Sequence, residues 1–334
     1  MSSFTTYGDV SPRVGIYAVA KALANAQPEL CLAQFAMSTP CPKNKGQTIQ
    51  WRRVVPFNVS TTALTEGVTP SASAIDVVDV TATLAQYGDI RRITDVIQDT
   101  HEDPILNWAS EESGKQAATT KEMLLWNTVR AASNILYSNG NAESSINTAV
   151  DEDLIRAGIN TLKRNHAKRI TKRVSASPNE ATEPVNAAFV AVGHTDLERD
   201  LRALSGFVPV EKYGQFQPIH MNELGKLEDC RFILTPHLIP AYGTGSTTLQ
   251  GMRSEAGAAV DVYRLVMFGQ DAYGTVSLKG LDSVKMSVFN PGMGKSDSDP
   301  LGQRGHVAWK FWHADTILND AWIVALYCGA TDLS

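Results

Sequence analysis

The chain has 334 residues, more than the ~100–150 of a common single domain, so it holds one elaborated core or two smaller ones. With 43% hydrophobic and 19% charged residues it carries the apolar surface that folding requires, which excludes a disordered chain. A net charge of −5 argues against a dedicated DNA-binding protein, whose footprint is a basic excess.

Residues 14–37 are weakly amphipathic and interrupted by Pro28, with Pro40 just beyond, and predict an arm containing a short helix. In TIQWRRVV, residues 48–55, Ile49, Trp51 and Val55 alternate against Gln50, Arg52 and Val54, the period of a strand. A second strand is predicted over 77–93, with Val78, Val80, Ala82 and Leu84 on one side and Thr81, Thr83 and Tyr87 on the other. The stretch between them, FNVSTTALTEGVTPSASA, exceeds the ~12–15 residues above which a structureless loop is uncommon in a compact domain. It reads as the far end of an extended hairpin. A two-stranded ribbon is marginal alone in water, so it needs another surface, such as a neighbouring subunit.

Asp103-Pro104 opens a helix predicted over 103–137, with Leu106, Ala117, Leu125 and Val129 on its apolar face and Asn139-Gly140 as its stop. At ~1.5 Å per residue it would reach about 50 Å. A second helix has Asp151 as N-cap and Leu154, Ile155, Ile159 and Leu162 as its stripe. It runs into KRNHAKRITKR, residues 163–173, the strongest basic run in the chain. That run has two readings: a solvated helix end favoured by the helix dipole, or a surface for nucleic acid or an acidic subunit face. Residues 174–186 read as a flexible loop, 187–192 as a strand, 196–204 as a helix, 230–234 as a strand and the Gly/Ser/Thr-rich 241–257 as a mobile loop. Strand patterns return at 260–268, 284–289, 307–311 and 322–328, and the sum is a mixed α+β architecture. In the 307–311 run Val307, Trp309 and Phe311 alternate with Ala308, Lys310 and Trp312, which reads as a half-buried strand rather than a base-stacking platform.

Chemistry finds no foothold. Gly294-Lys295-Ser296 ends like a phosphate-binding loop, but Phe289 stands where that motif needs its first glycine. The seven histidines form no ligand pair, and His194-Thr195-Asp196 reads as a helix entry capped by Thr195 or Asp196. Cys31, Cys41, Cys230 and Cys328 are scattered without zinc-ligand spacing and predict packed, reduced thiols. The start, MSSFTTYGDVSPR, lacks the layout of a signal peptide and no run approaches the ~20 apolar residues of a membrane span, so synthesis in a reducing cytosol is expected.

Seven stretches carry a resemblance: PKNKGQTIQWRR (42–53), LTEGVTP (64–70), QYGD (86–89), LKRNHAK (162–168), FGQDAYG (268–274), DPLGQRGHVAWK (299–310) and ILNDAW (317–322). In this order they make the chain similar to the major capsid proteins of tailed phages typified by enterobacteria phage N-four, which have the Hong Kong 97 capsid fold. The resemblance implies an α+β Hong Kong 97-type phage capsid fold with an N-terminal arm (1–45), an extended E-loop hairpin (46–95), a P-domain with a spine helix (96–141), an axial A-domain (142–270) and C-terminal P-domain strands (271–334). It implies a major capsid protein that self-assembles into hexamers and pentamers of an icosahedral, double-stranded DNA bacteriophage head, assembled in the host cytoplasm and residing in the virion. Neither catalysis nor a cofactor or metal is expected.

The implied partners are further copies of the chain, packaged double-stranded DNA, and portal, scaffold and decoration proteins, with no membrane. Lys43, Lys45, Arg52, Arg53, Glu66, Arg304 and Lys310 are the expected intersubunit contacts. Lys163, Arg164, Lys168 and Arg169 are expected to face DNA or another subunit. Trp309, Phe311 and Trp322 are expected to seal the P-domain sheet. An encapsulin-like nanocompartment shell would share the fold but enclose cargo enzymes, and a cytosolic α+β enzyme is the reading from a different class.

Overall fold

The computed structural model describes residues 31–64, 66–69, 71–100, 105–174, 182–214, 217–278, 284–291 and 299–333. In chain order come β1 (Met37–Cys41), β2 (Thr48–Val54), β3 (Val77–Thr83), β4 (Ala85–Thr94), α1 (Asp95–Thr100), α2 (Ile105–Val129) and β5 (Ile135–Tyr137). They are followed by α3 (Glu152–Arg164), β6 (Ile170–Val174), β7 (Thr182–Gly193), α4 (Glu198–Arg202), β8 (Val208–Pro209), β9 (Glu223–Leu227) and β10 (Cys230–Leu234). The last are β11 (Tyr263–Phe268), β12 (Tyr273–Leu278), β13 (Lys285–Phe289), β14 (Arg304–Ile317) and β15 (Ile323–Cys328). Among the described residues the strands form a five-stranded sheet, an eight-stranded sheet and a two-stranded ribbon, so the fold is α+β.

β14 is the axis of the five-stranded sheet. It pairs antiparallel with β4 from Arg304↔Thr94 to His313↔Ala85, with β13 on its other edge, and then with β12. Strand alternation sends Val307, Trp309 and Phe311 to one face, where they are buried against α2. The Trp309 and Phe311 rings stack at 5.4 Å, and Trp309 Nε1 donates to Gln116 Oε1 of α2 at 3.1 Å. Opposite Lys310 lies Gly88 of QYGD, where a Cβ would sit 2.6 Å from the Trp309 carbonyl oxygen; only glycine lets β4 approach this closely.

The eight-stranded sheet runs β5-β15-β11-β7-β10-β9-β8, with β6 also on β7. Successive residues point to opposite faces, and both faces are buried: Val190, Val192, Val266 and Ala325 in one core, Phe189, Ala191, Met267 and Leu326 in the other. That is why these strands read as near-continuous apolar runs. α3 covers the second core with Leu154, Ile155, Ile159 and Leu162, and its N-cap is Asp151, whose side chain accepts from Leu154 N at 2.7 Å. Cys31, Leu32 and the C-terminal turns of α2 close the first core. One long helix therefore serves two sheets, its early turns under β14 and Leu125, Trp126 and Val129 under the larger sheet.

Several expectations are corrected. The long helix ends at Val129 rather than 137, giving about 38 Å at ~1.5 Å per residue. Asn134 donates to the carbonyls of Asp320 and Ile323, and residues 135–137 then pair parallel with β15, so a distant strand takes over before Gly140 is reached. The final strand, expected in the spine-helix sheet, joins the larger sheet between β5 and β11. The 77–93 run divides at Leu84 into β3, which stays with the ribbon, and β4, which enters the β14 sheet. Residues 1–30 of the arm lie outside the described residues, and 37–41 form a strand parallel to β12. Residues 241–257 form no long strand but are fixed by Asp261, which accepts from Gly243 N at 2.8 Å and Glu255 N at 2.7 Å. The helix entry at 194–197 is capped by the His194 ring, which accepts from Asp196 N, rather than by Thr195 or Asp196. All four cysteines are free and buried. Gly294-Lys295-Ser296 and residues 175–181 lie outside the described residues, the latter between paired strands β6 and β7.

Candidate assembly surfaces

The ribbon carries the most exposed apolar surface. β2 and β3 pair from Thr48↔Thr83 to Val54↔Val77, and Val55 N to Asp76 O at 2.9 Å extends the ladder. On the inward side Ile49, Trp51 and Ala82 pack with Cys41, Leu84 and Val276. On the outward side Arg52 makes a two-pronged pair with Asp79, 2.8 and 3.1 Å. Beyond this ladder Phe57, Val59, Leu64, Val68 and Ile75 are all exposed, Val59 at 88% and Leu64 at 78%. Residues 56–76 contain two charges, Glu66 and Asp76, both negative. Isolated exposed hydrophobics are ordinary, but five on one projecting loop mark an interaction surface.

Where the ribbon meets the body, three of the scattered sequence stretches converge. α3 ends in LKRNHAK with a Schellman closure, Ala167 N to Leu162 O and His166 N to Lys163 O, each 3.0 Å, with His166 at φ 53° in the left-handed position usually held by glycine. Its Asn165 donates from Nδ2 to Ala321 O at 2.9 Å and accepts from Trp322 Nε1 at 3.0 Å, both in ILNDAW. FGQDAYG closes the triangle: Gln270 N bonds Lys168 O at 2.8 Å and Gly269 N bonds Trp322 O at 3.1 Å. Asp320 ties the same point to the end of α2 through the backbone N–H of Ser133 at 3.0 Å and the Ser133 hydroxyl. Against it lies a cavity of about 250 Å³ lined in part by Trp51, Arg53, Lys168, Asp271 and Trp322.

The expected contact residues separate into two groups. Lys43 and Lys45 are exposed in the β1–β2 turn, formed by Asn44 at φ 62° and Gly46 at φ 110°. Arg53, on the cavity, Glu66, near the loop tip, and Arg304 and Lys310, on β14, are also exposed. None of these six forms an ion pair among the described residues. Arg52, also exposed, is paired with Asp79 of the same chain.

The basic patch is likewise smaller in charge than in sequence. Lys163 and Arg169 both bond Asp229, at 2.6 and 2.8 Å, and Lys168 lies 5.9 Å over the Trp322 ring, leaving Arg164 without an ion pair among the described residues. Trp309 and Phe311 seal the β14 sheet as expected, whereas Trp322 serves the convergence point described above. Asp229, Asn165 and Asp320 had drawn no role in the sequence; the last two lie within quoted stretches, and nothing local marks Asp229. Among the described residues no group of three or more His, Cys, Asp or Glu side chains is placed to hold a metal ion, and no helix is long and apolar enough to cross a membrane.

Solved structures match this arrangement over its whole length. The capsid of Ralstonia phage GP4 aligns over 100% of this chain and 100% of its own, with TM-score 0.68 at 13% identity. The chain has the tailed-phage capsid fold. The capsid of cyanophage P-SCSP1u covers 98% of this chain and 93% of its own (TM-score 0.58, 13% identity), and that of cyanophage Pam1 covers 99% and 100% (0.58, 12%). In sequence, the major capsid protein of Pseudomonas phage KPP21 is 21% identical over 261 residues, 73% of this chain and 66% of its own length. No family model matches. Within this capsid fold the ribbon and its apolar loop project from the root where ILNDAW, FGQDAYG and LKRNHAK are bonded together.

Proposed function

We propose that the chain is a major capsid protein of the N-four-like kind, assembling with its own copies into hexamers and pentamers of the icosahedral head of a tailed double-stranded DNA phage. The observation that carries this is the match to a phage capsid over the full length of both chains. The exposed apolar loop of residues 56–76 supports it, because such a loop gains stability only where another surface covers it. The action is geometric rather than catalytic. Arms and hairpins that engage several neighbours add modest contacts through multivalency.

In this reading residues 1–45 are the arm, 46–95 the E-loop, 96–141 the spine-helix P-domain, 142–270 the axial domain and 271–334 the returning strands, with β15 crossing back to the axial sheet. Lys43, Lys45, Arg52, Arg53, Glu66, Arg304 and Lys310 meet neighbouring subunits, and Lys163, Arg164, Lys168 and Arg169 face DNA or a subunit. Packaged DNA, portal, scaffold and decoration proteins are the further partners, and assembly takes place in the host cytoplasm. The test is to express the chain and measure particle mass by light scattering with negative-stain imaging. Closed shells or capsomer rings are expected; a uniform monomer that stays so after phage-infected lysate is added would overturn the reading. Enclosed enzymes in place of DNA would point to a nanocompartment.

A further inference from the structure

Glu122 lies on α2 with no solvent exposure. Its Oε1 accepts from the backbone N–H groups of Cys31 at 3.0 Å and Leu32 at 2.8 Å. From the other side the Tyr273 hydroxyl of β12 donates to the Leu32 carbonyl at 2.7 Å. Two side chains thus clamp residues 31 and 32, both fully buried and the first of the described residues.

Among the described residues no counter-ion pairs with the clamp. Facing Glu122 are the Cys31 thiol, the Tyr273 phenol and, from β14, Asp315; His313 engages Asp315 at 2.8 Å, and Lys121 is only the adjacent residue on the helix. Among the described residues Oε2 of Glu122 and Oδ1 of Asp315 have no hydrogen-bond partner. A buried carboxylate beside a second acid is costly in its ionised form. We propose that Glu122 is a proton-operated latch on residues 31–32: uncharged it keeps them seated on α2, and charged it favours their release.

Burial, reinforced by Asp315, raises the Glu122 carboxyl to about 7 against the two N–H bonds and Lys121, which act the other way. Opening admits water and restores the ordinary value of 4.5, so opening is coupled to proton loss. A raised value means that the latch is tightest below about 4.5 and weakens as the pH climbs to about 7. The latch is a property of the single chain, so its failure would leave the capsid reading intact, and the reverse also holds.

The test is hydrogen-exchange mass spectrometry of the full chain, following the peptide that contains residues 31–35 and dividing by the rate of the same peptide in the denatured chain. Protection in the unaltered chain is expected to fall on the order of fiftyfold between about pH 5 and 7.5. Glu122→Gln keeps an acceptor at Oε1 without the charge and should stay protected and flat. Parallel profiles for the two chains would overturn the latch. If Glu122→Gln does not fold, Asp315→Asn decides: removing the neighbouring acid should end the fall at lower pH, and an unchanged profile would refute the proposal.

Discussion

Single residues here carry opposite electrostatic roles. Asp89 accepts from Gln116 Nε2 at 2.8 Å and from Ile90 N, and these bonds, the first above all, hold its carboxyl below the usual value. A depressed carboxyl contributes stability at neutral pH that is lost as the pH falls below about 4, the reverse of Glu122. Asp89→Asn should therefore flatten the acid side of the stability-versus-pH curve, read from urea midpoints, and an unchanged slope would reject that account. Gln116 links Asp89 to Trp309, so Trp309→Ala removes a buried ring and one arm of this network. It should cost about 3–5 kcal/mol in denaturant unfolding. Glu122 itself was legible in part: Ala118, Leu125, Trp126 and Val129 put it on the buried face by helical spacing. Its partners, some ninety residues away, were not.

At the scale of elements, local signals succeeded where an element's ends are set by its own side chains. α3 begins at Asp151 because that carboxylate satisfies Leu154 N, and its apolar stripe alone decides which face is buried. Asp151→Ala is expected to cost about 1 kcal/mol, seen as a lower urea midpoint with an unchanged slope. α2 fails the same treatment. Helical periodicity continues past Val129, but Asn134 and Asp320 turn the chain and β15 recruits residues 135–137, a competition invisible to any local window.

At the scale of the whole molecule the question is what covers the ribbon loop. The loop's two charges are acidic, whereas six of the seven expected contact residues are Lys or Arg. Glu66→Lys should therefore reduce particle yield in light scattering while leaving the thermal melt of the subunit in place. Replacing residues 57–75 with a short Asn-Gly turn should go further and yield a folded chain that forms no particles. Normal particles from both chains would remove the loop from assembly.

The sequence by itself determined the ribbon, the capped helix and the burial of Trp309 and Phe311, because alternation and capping act between residues a few positions apart. Through its scattered motifs it also carried the resemblance to phage capsids. Tertiary structure alone decided that β15 joins the larger sheet, that Arg52 and two cations of the basic run are matched within the chain, and that Trp322 locks Asn165. Each depends on a partner brought from a distant segment: Asp79 for Arg52, Asp229 for Lys163 and Arg169, and Asn165 for Trp322. Such pairings are set by which surfaces exclude water together, and that is fixed only once the whole chain has closed.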